Sequence, residues 1–386
     1  TGNMVGTRMF CCFLGHLFVF QEQTFKGWSM SIIDLYIFRA ILKATLIVGF
    51  VFASLSLFVD FVSQSDDIGL GSYGVYEAIQ YSLMKLPSSL MKFIPIIVLI
   101  GSLVALGNLG KNSELIVLMS SGFSFFRLSL SVFFSGILLA IIFGGSGEYI
   151  SSPLERYADQ FRTKNKFNIE TLGDTGGFWV IDEQKIININ FVTENNSFGE
   201  VTIFEIDGDF AIQKISLASS AGIDDYNQWI LSNLSETLFS ESGVRSNFSR
   251  YQIEKTKLDR DLVSLSVTDS DELNVIELSR FIDYLEDNQL DTKAYITVYH
   301  NRLASFLIIP ILTLLALQMS VGSQRKRGSG FRILIGMIIG LAYFISQNAI
   351  LESSQVFDVN PSIIAYTPLL FVALVTMISF SIRRTP

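Results

Sequence analysis

The residues of this chain that could make or break bonds are not spaced to do it together. Cys11 and Cys12 are the only cysteines among 386 residues; adjacent and near one end, they give neither a disulfide framework nor a zinc spacing. His16 and His300 are too far apart in sequence to suggest a metal site. Gly110-Lys111 superficially suggests a nucleotide-binding loop. However, Ala105 stands where the first glycine belongs, and Asn112 replaces the Ser or Thr. No Ser/His/Asp set and no carboxylate pair makes an acid–base case. No catalytic chemistry is spelled out, and one stretch stands out for another reason.

That stretch is Lys111–Gly122, KNSELIVLMSSG, between the apolar runs Leu90–Leu109 and Phe123–Gly147. Asn112 or Ser113 can cap a first helical turn, with Glu114 just inside it, where the helix dipole favours a negative charge. Gly122 follows as a stop residue able to take positive φ. Leu115, Ile116, Val117, Leu118 and Met119 are too apolar for a solvated turn. A helix this short is marginal alone, so it calls for a partner's groove; the plain alternative is a tight membrane hairpin. If the chain is a transporter, its energy comes from elsewhere, and this helix is where a partner could push.

The elements that must hold this turn are membrane spans. The chain is 49% hydrophobic, carries 33 Phe and is 17% charged, where a soluble domain carries about a quarter charged residues. A net charge of −8 gives no footprint for nucleic acid. Spans are expected at Ala44–Val62, Leu90–Leu109, Phe123–Gly147, Leu303–Gly322, Phe331–Ile350 and Ser362–Ser381. Asp60, near the end of the first, is either a functional acid inside a span or an acid at the water boundary. Gly336-x-x-x-Gly340 could bring two helices close. Met9–Phe20 is too short to span, and no small-residue cleavage site follows. Met30 is the expected natural start, with residues 1–29 added or read from an upstream start.

Between spans three and four the chain changes character. Residues 148–271 are polar and read as short strands: Gly177–Ile181, Lys185–Val192, Val201–Ile206, Phe210–Leu217 and Trp229–Leu231, some separated by the turn signals Asn195-Asn196 and Asp207-Gly208. Strands without intervening helices suggest an all-β sandwich or jelly roll. Pro153–Lys166 reads as a helical stalk before it, and Glu272–Glu286 as an amphipathic helix after it. The fold class is therefore an α-helical polytopic membrane protein with six transmembrane helices and an inserted all-β, jelly-roll-like domain. Residues 30–147 hold spans one to three with a short helix at 112–121 between spans two and three, and residues 272–386 hold the amphipathic helix and spans four to six.

Charge gives the orientation. Arg325, Lys326, Arg327 and Arg332 crowd one loop, Arg383 and Arg384 the tail, and Lys111 and Arg127 flank the turn, while the loop Glu352–Pro361 carries acids and no base. The positive-inside rule then puts both termini and the turn in the cytoplasm and the β domain outside.

Several segments resemble the lipopolysaccharide export permeases, more closely their G-type subunits. The Ser113-Glu114-Leu115 helix with Gly122 is the most specific. Asp34-x-Tyr36-Ile37, Phe58-Val59-Asp60, Gly147-Glu148, Gly177-x-Trp179 and Asn360-Pro361 follow in the family's order, from about Met30 to Arg384. The resemblance implies a bacterial inner-membrane subunit paired with a paralogous F-type permease subunit. It implies two cytoplasmic ATPase subunits that bind ATP and Mg, so that this chain holds no cofactor. It also implies a periplasmic jelly-roll bridge component with a single-span anchor, and lipopolysaccharide as cargo. Carried over by position, Ser113, Glu114, Leu115, Leu118, Met119 and Gly122 couple to the ATPase, with Glu114 facing one of its bases and Leu115 and Met119 filling its groove. Asp60 lies at the cavity rim, and Arg162 near the lipid's phosphates.

One departure stands out. Family members often carry lysines in and after the end of helix one; here Leu57 and Ser63–Asp67 offer no base. Three readings follow: Lys92, Arg156 and Arg162 supply the charge, divalent ions bridge Asp66 and Asp67 to phosphate, or the lipid is less phosphorylated. Lipoprotein-releasing permeases put their large domain between spans one and two of four and do not fit. The alternative from another class is a membrane-anchored periplasmic sensor or scaffold, in which the Ser113 turn is a plain turn.

Overall fold

The computed structural model describes residues 32–167, 177–182, 184–190, 197–207, 211–223, 228–240, 243–255, 260–266, 268–321, 329–353 and 360–382. Residues 1–29, most of the basic loop from Gln324, and the tail arginines lie outside that set. So do the turn residues Asn195, Asn196 and Gly208.

Among the described residues, six helices are long and apolar enough to cross a membrane. They are α1 (Ile32–Ser63), α2 (Val75–Lys111), α4 (Phe125–Ser146), α8 (Lys293–Val321), α9 (Ser329–Ser353) and α10 (Pro361–Ile382). The short α3 (Glu114–Ser120) joins α2 to α4. Five of these helices begin or end beyond the expected apolar run, while α4 falls just inside its own. The backbone keeps its hydrogen bonds wherever residues with fair helical propensity follow.

The bundle has a centre and a rim. The apolar windows of α2 and α8 are 72% and 61% buried, against 11%, 22% and 17% for α1, α9 and α10. The core joins Ile41 of α1, Leu99 and Leu106 of α2, Leu128 and Leu139 of α4, and Ile308 and Leu312 of α8. The Gly336-x-x-x-Gly340 pattern is a packing seam: a Cβ at Gly336 would run into the Leu103 side chain, and one at Gly340 would stand 3.2 Å from Ile96. Small residues let α9 lie close on α2, as they do between membrane helices generally.

Past α4, one π-helical turn at Gly147–Ser151 inserts a residue and leads into the stalk α5 (Ser152–Phe167). The inserted domain is one antiparallel sheet of β1 (Phe178–Asp182), β2 (Lys185–Ile189), β3 (Ser197–Phe198), β4 (Val201–Ile206), β5 (Ile212–Ala218), β6 (Ser220–Ile223), β7 (Gln228–Ser240) and β8 (Gly243–Lys255). The order is β1-β2-β4-β5-β7-β6-β3, with β8 on the other edge of β7. Strand β7 is long enough to hold two lobes: its first half pairs with β6 and its second with β5. At Asn233, with φ +51°, the strand kinks and its inward face passes from Trp229 and Leu231 to Leu234 and Glu236. The sheet thereby curls into a half barrel around Val180, Ile187, Ile203, Leu231 and Leu234.

Ion pairs complete the curl. Lys185 of β2 reaches Glu254 of β8 at 2.7 Å, although those strands are not neighbours, and Lys214 of β5 reaches Glu205 at 2.8 Å and Glu236 at 3.2 Å. This is the expected all-β domain between spans three and four. Two readings are corrected: Trp229–Leu231 is the start of a far longer strand, and Gly243–Lys255, read as no element, is its hairpin partner. After α6 (Arg260–Ser266), the amphipathic segment forms α7 (Val275–Asp287), capped by Asn274 and Glu277 in a capping box.

Candidate functional site

The site is the turn that carries α3, and it is built from α1, α2 and α4. Helix α2 ends with the Asn112 amide on the Asn108 carbonyl and the Ser113 amide on that of Gly110, both at 3.0 Å. Reversing the chain in one step puts Ser113 in the left-handed region, φ +62°. Its side chain makes no cap, so the expected Ser113 cap is not what starts α3. A non-glycine residue held there costs about 1–3 kcal/mol, which the flanking helices must offset. Asn112 instead donates to Glu114 Oε1 at 3.2 Å. At the other end Gly122 takes φ +98°, where a side chain would be strained, and the Phe123 amide returns to the Leu118 carbonyl at 3.2 Å.

The first residues of α1 hold this turn from outside. The Tyr36 hydroxyl donates to Glu114 Oε2 at 2.6 Å. Asp34 takes the Arg127 guanidinium of α4 at 2.8 Å and also accepts from the Ser131 hydroxyl. Asp34 and Tyr36 entered the sequence reading only as a resemblance; the structure gives them work on both sides of α3. Ser124 caps α4, accepting from the Arg127 amide at 3.2 Å.

The outward face of α3 differs from the one expected. Leu115 is 1% exposed and packs into the bundle's own core, so it is not free to fill a partner's groove. Leu118 and Met119 are half-buried. The apolar side chains that face outward are Ile116, Val117 and, from α4, Phe126, all about half exposed or more. At 3.6 residues per turn, a helix anchored through Leu115 must turn the two following residues away.

At the opposite end of the bundle, the candidate bases are already paired. Arg162 of α5 bonds Asp67, in the 3₁₀ turn Ser65–Asp67 after α1, through Nε at 2.9 Å and through Nη2. Lys166 adds a contact to the same carboxylate at 2.7 Å. Arg156 pairs with Glu277 of α7 at 2.9 Å. Arg156 and Arg162, expected to supply charge for phosphate, each hold a carboxylate here, and Asp67, expected as a cation bridge, holds two bases of the stalk. Asp60 faces α2, accepting from Ser89 at 2.8 Å. Lys92 is exposed, and no ion-pair partner is found for it among the described residues.

Comparison with known proteins agrees with this architecture. The family model described as lipopolysaccharide export system permease LptF/LptG matches residues 35–382. The chain is 26% identical to lipopolysaccharide export system permease protein LptG of Escherichia coli (strain K12) over 340 residues, 88% of this chain and 94% of the relative. It is 24% identical to the protein of the same name from Haemophilus influenzae over 348 residues, 90% of this chain and 97% of the relative. With six spans, an inserted antiparallel half barrel and a match over nearly its whole described length, the chain belongs to the LptF/LptG family of lipopolysaccharide export permeases.

Proposed function

We propose that this chain is the membrane subunit of an ATP-driven transporter that lifts lipopolysaccharide from the outer leaflet of a bacterial inner membrane. The cargo passes to a periplasmic bridge component of jelly-roll type with a single-span anchor. The observation that carries the reading is α3: a short helix entered through the left-handed Ser113, locked to its own bundle through Leu115 and Tyr36–Glu114, with Ile116, Val117 and Phe126 outward. Membrane helices spend exposed apolar groups on lipid, but a turn between two spans lies beyond the lipid. Such a face suits a cytoplasmic ATPase, one on each permease subunit, which would bind ATP and Mg; this chain then needs no cofactor of its own.

The rest follows from orientation and exposure. With the basic turn inside, the β domain lies in the periplasm and both termini in the cytoplasm. The open apolar side of α1, including Phe50, Leu55 and Phe58, suits the paralogous F-type subunit and the lipid's acyl chains between them. Asp60 would lie on the wall of that cavity, and Lys92 near its upper edge.

The test is co-purification and ATPase activity of the reconstituted complex, wild type against Glu114→Arg. The expected result is a folded permease that no longer retains the ATPase or moves lipid to a periplasmic acceptor. An unchanged ATPase complex would overturn the coupling role and favour a scaffold that senses the periplasm.

A further inference from the structure

A cavity of about 200 Å³ opens between α2, the π turn, α8 and α9, away from α3. Its depth can be read from helix length. Lys92, Gly147, Asn301 and Gln347 line it. Each lies roughly 30 Å along its helix from the end nearest α3, at about 1.5 Å per residue, which is the thickness of the hydrocarbon core. The cavity therefore sits at the level of lipid headgroups, on the side that carries the β domain.

Its walls are sorted by chemistry. Met91, Phe306 and Phe344 face it from the bundle, while Glu148, Glu155 and Asp271 bring negative charge and Lys92 and Arg302 positive. Arg302 is spent on the walls: it donates to the Leu273 carbonyl and to that of Asp271 at 2.7 Å. Glu148 likewise accepts from the Val275 amide at 2.6 Å. Lys92 is exposed and its charge acts on the buried Glu155, which also has the Ser88 hydroxyl as a hydrogen-bond partner and Lys85 at 3.9 Å. Asn301 is 9% exposed, and its Oδ1 finds no hydrogen-bond donor among the described residues. A buried acceptor left unpaired costs about 1–3 kcal/mol, so a donor on a guest is favoured.

We propose that this cavity binds the headgroup of a zwitterionic phospholipid with a primary ammonium, of the phosphatidylethanolamine type. The ammonium meets Glu155, Asp271 and the Asn301 carbonyl oxygen, the phosphate meets Lys92, and the acyl chains leave over Phe344. Three acids against two bases disfavour a purely anionic headgroup. Lys92 would serve both this site and the edge of the export cavity, but phospholipid retention is read without ATPase or export, so the export reading could fail while this one holds.

The experiment uses the full chain with its co-purifying subunits, reconstituted with equal amounts of phosphatidylethanolamine, phosphatidylcholine and phosphatidylglycerol of identical acyl chains. Native mass spectrometry then counts the lipid retained. One phosphatidylethanolamine per chain is expected, ahead of phosphatidylcholine, whose methylated nitrogen donates no N–H bond. Lys92→Ala, at an exposed position that folding does not need, and Glu155→Gln each lower that retention by about tenfold, the worth of one charge-assisted hydrogen bond. Equal retention of phosphatidylglycerol, retention of lipopolysaccharide alone, or unchanged retention by a folded Lys92→Ala overturns the proposal.

Discussion

The Tyr36 hydroxyl lies 2.6 Å from Glu114 Oε2, so the first turns of α1 grip the first residue of α3 across the chain. The same stretch of α1 grips α4 through Asp34. A push on α3 is therefore a push on α1, the most open helix of the bundle, and on the proposed reading this is the path by which an ATPase would act on the export cavity.

Tyr36→Phe isolates that link. It removes one hydrogen bond to a carboxylate at a half-exposed position, worth about 1–2 kcal/mol, and leaves the ring in place. The expected outcome is a complex that assembles and hydrolyses ATP but moves less lipid per ATP. Measuring transport and hydrolysis in the same vesicles checks it; a constant ratio would mean that force does not travel through Tyr36.

Leu115 and its neighbours should separate fold from docking. Leu115→Ala opens a hole in the bundle core and lowers stability by about 2–5 kcal/mol. Ile116→Asp or Val117→Asp changes an exposed position, so the melting temperature stays near wild type while the ATPase is lost. Thermal unfolding and co-purification, run side by side on the three variants, give the comparison.

The spans and the place of the β domain were legible because hydropathy and strand periodicity are local signals. The β7–β8 hairpin was not. Asn233 breaks the period-two pattern of β7, and β8 is an edge strand whose apolar residues Val244, Phe248, Tyr251 and Ile253 are all exposed and fall on both faces among polar ones, so it shows no alternating signal. The pairings of Arg162 with Asp67 and Arg156 with Glu277 were invisible for another reason. They join elements far apart in sequence, and a single chain read alone carries no signal of that contact. The missing lysines after helix one look different once Asp67 is seen holding two bases of the stalk. The segment Ser63–Asp67 binds the stalk. The face of α3 was misjudged because a heptapeptide has too few turns for its apolar side to be assigned by periodicity.

The α9–α2 seam tests the packing argument. Gly336→Leu forces a side chain against Leu103 and should cost about 1–3 kcal/mol as the helices part. Gly336→Leu combined with Leu103→Ala should recover much of that loss. Melting temperatures of the two variants in detergent decide it; equal losses would mean that the seam is not where the strain enters.

Glu272, in the linker between α6 and α7, makes the junction of the β domain and the bundle sensitive to pH. Burial and then the negative charges of Asp159, Glu155 and Asp269 push its carboxyl up to about 8. The unfolded carboxyl titrates near 4.3, so the folded chain binds this proton more tightly. Below the unfolded value Glu272 is protonated in both states and contributes nothing. As pH rises through the window between the two values, the unfolded chain gives up its proton first and stability falls, until the full cost is present above about 8. Amide exchange of Thr268–Leu273, corrected for intrinsic rates, should thus be faster at about pH 9 than at about pH 5 in wild type. Glu272→Gln should remove the dependence, because its amide is neutral throughout. If both proteins loosen equally, Glu272 is not the group that sets the dependence.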